Sequence, residues 1–163
     1  MVAVGKGFVT VAHGQVHYRH CGRGPLLVML HDSARSSLQH AASMEWLGEH
    51  FTVIAPDLPG CGNSAPLPVG QWAVPDYSAA LATTLAALGI ESCLLYGNHH
   101  GAAIALHFAA HHPSRVALVV LDGLELQGPD EGPDVPVSTP AGPVPRDDGS
   151  HLAAAWTGVL DAA

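Results

Sequence analysis

The residues best equipped for chemistry sit in one short stretch, Gly97-Asn98-His99-His100-Gly101. A histidine here is framed by glycines two positions before and two after. Small residues at those positions let backbone segments approach closely where a chain leaves a strand, turns sharply and enters a helix. An imidazole there can attack activated acyl groups, act as a general base toward water, or bind a metal. Three further ionisable residues, His31, Asp57 and Asp122, stand at the ends of other apolar runs. His31, His99, His100 and Asp57 together offer the nitrogen and oxygen donors that Zn²⁺ takes in tetrahedral sites. No His-x-x-x-His motif with an accompanying Glu supports that use, and His107 and His111 are merely spaced by one helical turn. Cys61 and Cys93 lie outside the framed turn and read as small apolar residues.

The elements that must position these groups follow from periodicity. Phe8–Ala12 and Val16–His20 predict a hairpin around His13-Gly14-Gln15. Leu26–Leu30, Phe51–Ala55, Ser92–Tyr96 and Val116–Leu121 are short apolar runs suited to strands buried on both faces. Between them, Ser37–His50, Asp76–Leu88 and Ala102–His111 carry helical spacing, with Gly89 and Pro113 as stop signals. Strands alternating with helices predict a mostly parallel sheet flanked by helices, an α/β architecture. Ligands in such folds meet the carboxyl ends of the strands, which here are His31, Asp57, Gly97 and Asp122. After Leu126 the pattern changes. Residues 127–150 are rich in Pro and Gly, reading as a linker or crossing loop, and Ser150 is placed to cap a last helix over His151–Leu160.

Composition narrows the functions available. The chain has 163 residues, 14 acidic and 6 basic side chains and a formal charge of −8, which excludes the clustered cations that nucleic acid or an anionic membrane surface requires. Apolar residues make up 48% and charged residues 12%, a balance that excludes disorder of the chain as a whole. The longest apolar stretch, Pro25 to Leu30, falls far short of the ~18 residues that span a bilayer. No signal peptide is evident. Three widely spaced cysteines without a CxxC pair read as reduced thiols, and so as a cytoplasmic protein.

Four local patterns, in order, resemble the amino-terminal part of an α/β-hydrolase. Leu27-Val28-Met29-Leu30-His31 is similar to the third strand ending in that family's His-Gly motif. Asp57-Leu58-Pro59-Gly60-Cys61-Gly62-Asn63-Ser64 matches its D-x-P-G-x-G-x-S loop. Leu94 to Gly101 aligns with its nucleophile elbow, and His112-Pro113-Ser114-Arg115-Val116 with its step into the sixth strand. The resemblance covers residues 1–126 as the amino-terminal part of the core, with 127–163 as linker and the start of a cap. It implies a sheet of eight strands in the spatial order first, second, fourth, third, fifth, sixth, seventh, eighth, of which six are found.

The resemblance also assigns roles. Position 99 would carry the nucleophilic serine, and His99 replaces it without a hydroxyl to offer. The oxyanion donors would be the backbone N–H groups of His100 and Ser33, with His31 beside them at the substrate. Asp32 takes the place of the motif's glycine. A carboxylate pointing inward would repel an oxyanion, so the expectation is that it faces solvent. Asp122 is the candidate acid. The usual catalytic histidine follows an eighth strand that this chain lacks, and strand six would be left as an open edge. A second chain or second copy completing the sheet is therefore expected. The implied function is hydrolysis of a small ester, lactone, amide or similar carbonyl compound, with no organic cofactor. The alternatives are an inactive homologue serving in binding or assembly, and a metal-dependent hydrolase using the histidine cluster.

Overall fold

A computed structural model describes residues 1–70 and 73–124. The linker and the helix expected beyond Leu126 lie outside the described residues. β1 (Gly5–Val11) and β2 (Gly14–Cys21) form the hairpin, and Val11 pairs with Gly14 across it. The turn is thus Ala12-His13, tighter than the sequence spacing suggests. Gly14 makes this possible, because its φ of +135° is poorly accessible to other residues.

β3 (Leu26–Leu30), β4 (Thr52–Pro56), β5 (Cys93–Asn98) and β6 (Val116–Asp122) complete one six-stranded sheet in the order β1-β2-β4-β3-β5-β6. This is the order the resemblance implies for its first six strands. β1, β2 and β4 are antiparallel neighbours, whereas β4, β3, β5 and β6 run parallel. Parallel strands need crossovers, and helices supply them. α2 (Val74–Ala87) precedes β5 and α3 (His100–His111) precedes β6. The helix expected over Ser37–His50 is broken into a 3₁₀ turn, Ser37–His40, and α1 (Ala41–Leu47). The Ser36 hydroxyl caps the first by accepting from the Leu38 N–H, and Gly48 ends the second.

Successive residues of β3 face opposite sides of the sheet. Val28 and Leu30 join Leu81 and Leu85 of α2 and Ile104 and Phe108 of α3 in one apolar cluster. Leu27 and Met29, on the other face, are equally buried. That explains an unbroken apolar run. Each such side chain contributes roughly 1.5–3 kcal/mol by leaving water. β6 is different, since Ala117 and Leu118 are exposed and, among the described residues, β5 is its one neighbour.

Buried polar groups fasten the loops to this sheet. Asp57, just past β4, accepts from the Ser37 N–H at 2.7 Å, the Asn63 N–H at 2.9 Å and His17 Nδ1–H at 2.9 Å. Burial alone would raise its pKa, but these donors hold it below the ordinary carboxylate range. His40 is buried on the 3₁₀ turn, its ring edge-on to Tyr96 at 5.6 Å.

Burial, together with nearby His31, pushes the His40 pKa down to about 4. Between about 6.5, where an unfolded histidine titrates, and about 4, the unfolded chain binds a proton that the folded chain does not. Stability must therefore fall as pH drops through that window, by about 3 kcal/mol from this residue. Urea unfolding at about pH 7.5 and about pH 4.5 measures the difference, and H40L is expected to cut it sharply. An unchanged pH dependence in H40L would remove His40 as the cause.

Candidate functional site

The site begins where β5 gives way to α3. Asn98 ends the strand, His99 follows at φ +46°, ψ −108°, and His100 opens the helix. Two glycines enforce this turn. A Cβ on Gly97 would strike the Gly101 carbonyl oxygen, and one on Gly101 would lie 2.5 Å from the Leu30 carbonyl oxygen. The first turn of α3 is thus jammed against both β5 and β3. The His99 N–H donates to the Asp122 carbonyl at 2.7 Å, and the His99 carbonyl accepts from Ala102 at 2.9 Å. His99 is exposed, its ring lying over Gly123, whose added Cβ would come within 2.8–3.0 Å of three ring atoms. The position expected to carry chemistry is therefore raised from the sheet rather than tucked into it.

The two backbone donors expected for an oxyanion do converge, but on a side chain of this protein. Ser33 N–H lies 2.7 Å and His100 N–H 3.3 Å from the same atom, Asp32 Oδ1. The Ser33 hydroxyl approaches that oxygen at 3.4 Å. Asp32 thus does not turn to solvent as expected. Two partial positive charges, one of them at a helix N-terminus, draw the carboxylate inward. Burial acts to raise its pKa, but the His100 and Ser33 amides and the neighbouring His99 imidazole bring it below the usual range.

His31 does not face a substrate. It is fully buried, and its Nε2 accepts the Leu58 N–H at 2.8 Å. Nδ1 must then carry the proton, which it donates to the Asp32 carbonyl at 2.7 Å. Burial lowers its pKa and keeps it neutral. Its work is to tie the end of β3 to the loop after β4.

Asp122 lies at the expected strand end, with its carboxylate engaged by scaffold groups. Oδ2 accepts from Tyr96 O–H at 2.6 Å and Asn98 Nδ2 at 3.0 Å. Its link to His99 runs through the main chain. The Asn98 amide oxygen accepts from Gln39 Nε2 at 2.7 Å, and Gln39 Oε1 accepts the Asp32 N–H at 3.2 Å. A continuous chain of hydrogen bonds therefore joins β6, β5, the 3₁₀ turn and the Asp32 loop. Sequence reasoning missed Gln39, Tyr96 and Asn98. Asn98 was marked only by its place inside the glycine frame, and nothing signals Gln39.

The metal-dependent alternative fails on geometry. Both ring nitrogens of His31 and both carboxylate oxygens of Asp57 are already bonded. Among the described residues no three His, Cys, Asp or Glu side chains are grouped to hold a metal ion. Burial raises the thiol pKa of Cys61 and pushes that of Cys93 up to about 11, so neither is an activated nucleophile.

Comparison with known proteins agrees with this architecture. Residues 25–143 match the alpha/beta hydrolase fold family, and the chain belongs to it. An uncharacterized protein of Mycobacterium tuberculosis is 32% identical over 114 residues, 70% of this chain and 33% of that protein. A 2-hydroxy-6-oxo-6-phenylhexa-2,4-dienoate hydrolase of Burkholderia cepacia is 29% identical over 125 residues, 71% of this chain and 44% of that enzyme. The crystal structure of haloalkane dehalogenase DbeA from Bradyrhizobium elkani superposes with a TM-score of 0.70 at 28% identity, covering 75% of this chain and 42% of that one. The chain spans a third to under half of the length of these curated relatives. Among the described residues no helix is long and apolar enough to cross a membrane.

The turn geometry sets opposite expectations for two substitutions. A left-handed backbone costs a non-glycine residue ~1–3 kcal/mol, so H99G is expected to gain about 1 kcal/mol after the entropy cost of glycine. G101A, whose methyl meets backbone with no room to yield, is expected to lose at least ~2 kcal/mol. Urea midpoints at constant m-value check both. Destabilisation by H99G would contradict strain at residue 99.

Proposed function

We propose that this chain forms the amino-terminal part of a hydrolase for a small ester, lactone, amide or similar carbonyl substrate, with His99 as the reacting base. One observation carries the reading. An exposed imidazole stands on a strained strand-to-helix turn beside two converging backbone N–H donors, those of Ser33 and His100. The relatives named as hydrolases support the reaction class. With no hydroxyl at position 99, the economical route uses water. The imidazole takes a proton as water oxygen bonds to the carbonyl carbon, and the carbonyl π electrons move onto oxygen. The two N–H groups are oriented to hold that oxyanion. Collapse re-forms the carbonyl and expels the alcohol or amine, which recovers the proton from the imidazolium. Asp122 serves by holding Tyr96 and Asn98 and, through its carbonyl, the turn that carries His99.

Turnover of p-nitrophenyl acetate by the full chain tests this. H99A is expected to lower the rate ~10²–10⁴-fold, the usual worth of a positioned base. Equal turnover in H99A would exclude His99 from the mechanism. A second reading, an inactive homologue that binds or assembles, draws support from the Asp32 carboxylate already seated on the donor pair. It predicts no turnover above buffer for either protein.

Among the described residues β6 pairs on one side alone, which supports a further chain, or a second copy, that continues the sheet. Half-exposed Val119, Val120 and Leu121 and exposed Leu118 would gain cover there. Mass measurement of the natively purified protein is expected to give a dimer or a complex, and a stable soluble monomer would contradict it. The free thiols of Cys21, Cys61 and Cys93 support placement in the reducing cytoplasm.

A further inference from the structure

The Asp32 carboxylate sits where the proposed chemistry needs an unoccupied place for negative charge. Its Oδ1 takes the Ser33 N–H, the His100 N–H and, at longer range, the Ser33 hydroxyl. Asp32 is half-buried, and Ser33, Ala34 and Arg35 after it are exposed. Ala34 adopts φ +57°, a left-handed conformation unfavourable to a residue with a side chain, so this loop is held rather than relaxed. The main chain of Asp32 is anchored independently, with its N–H on Gln39 and its carbonyl on His31. Rotation about the side-chain bonds would free both donors without disturbing those anchors.

We propose that Asp32 is a built-in competitor at the Ser33 and His100 amides, and that a ligand's oxyanion or carboxylate occupies this pair only when the Asp32 side chain rotates away. The inference rests on reading that pair as the place where negative charge develops. A tethered carboxylate competes as though present at millimolar concentration or above, without the cost of association. A neutral ester carbonyl accepts more weakly than a carboxylate and cannot displace it easily. The competitor therefore selects against weakly polarised carbonyls and favours ligands that bring a full negative charge or another way to draw Asp32 off. The titratable side chains interacting with Asp32 are His99 at the turn and His31 at the end of β3, while His100 meets it through its backbone N–H and turns its ring to Tyr77. The depressed pKa of Asp32 keeps it charged, and the donors covered, at neutral pH.

The test uses the full chain, ¹⁵N-labelled at neutral pH, with acetate as the probe. In the unsubstituted protein the Ser33 and His100 amide resonances are expected to respond weakly and without saturation. In D32A both are expected to shift together and saturate, with an apparent affinity at least ~10-fold higher. D32N preserves size and one acceptor oxygen but removes the charge, and is expected to fall between them. The same amide response in all three proteins, or a D32A response confined to other residues, would overturn the proposal. Turnover of p-nitrophenyl acetate is read in parallel, with a rise on the order of 100-fold expected in D32A. Acetate binding gained without that rise would leave the competitor standing and defeat the hydrolase reading instead. Amides indifferent to D32A would defeat the competitor whatever the turnover.

Discussion

Backbone contact between the first turn of α3 and the ends of β3 and β5 governs everything at this edge of the sheet. Gly97 and Gly101 have no side chain because carbonyl oxygens fill the space that one would need. With the helix start pressed that close, the residue between strand and helix has little choice but the left-handed conformation of His99. The same compression aims the His100 N–H at the loop following β3, where Ser33 presents its own. A raised side chain and a pair of convergent donors are thus two results of one steric fact.

Electrostatics then decides what the donors hold. An unpaired N–H at the head of a twelve-residue helix carries a share of the helix dipole and attracts whatever anion can reach it. Glycine at position 32 would leave that role to water or a ligand. Aspartate answers it from within the chain. Asp57 shows the same principle in a purely structural setting, since there a buried carboxylate gathers three donors and ties β2, the 3₁₀ turn and the loop after β4 together. The difference lies in surroundings. Asp57 is enclosed, with a relative exposure of 1%, whereas Asp32 is only half-buried.

Most of the architecture could be read from the chain before any coordinates. Apolar runs of five or six residues locate the four parallel strands, the spacing around His13-Gly14-Gln15 locates the hairpin, and glycine or proline stops help to bound the helical segments, all within a few residues. These signals are local, arising from the burial of β3 on two faces and the stop signals that bound α2 and α3. The strand order came instead from resemblance, since periodicity does not say which strands are neighbours. The candidate site was legible only in part. His99, His100 and Ser33 were located by motif. The direction of the Asp32 side chain is not written in the motif, because repulsion between a carboxylate and an oxyanion argues for solvent whereas the donors' own demand for charge draws it inward. The role of His31 is equally hidden, because its partner, the Leu58 N–H, is 27 residues distant in sequence and nothing in either neighbourhood announces the bond.

The placement of Asp122 bears on what the end of β6 is built to do. Oδ2 of Asp122 is shared by a phenol and an amide, and that shared oxygen raises the Tyr96 pKa beyond the effect of burial. Tyr96, Asn98, Gln39 and the Asp32 backbone extend the bond chain across three strand ends, so moving Asp122 toward an imidazole would loosen the loop that bears the donor pair. The end of β6 is accordingly built for rigidity. The fold thus divides the labour: the glycine-framed turn supplies position, the bond chain supplies stiffness, and the Asp32 side chain holds the donor pair without being part of either.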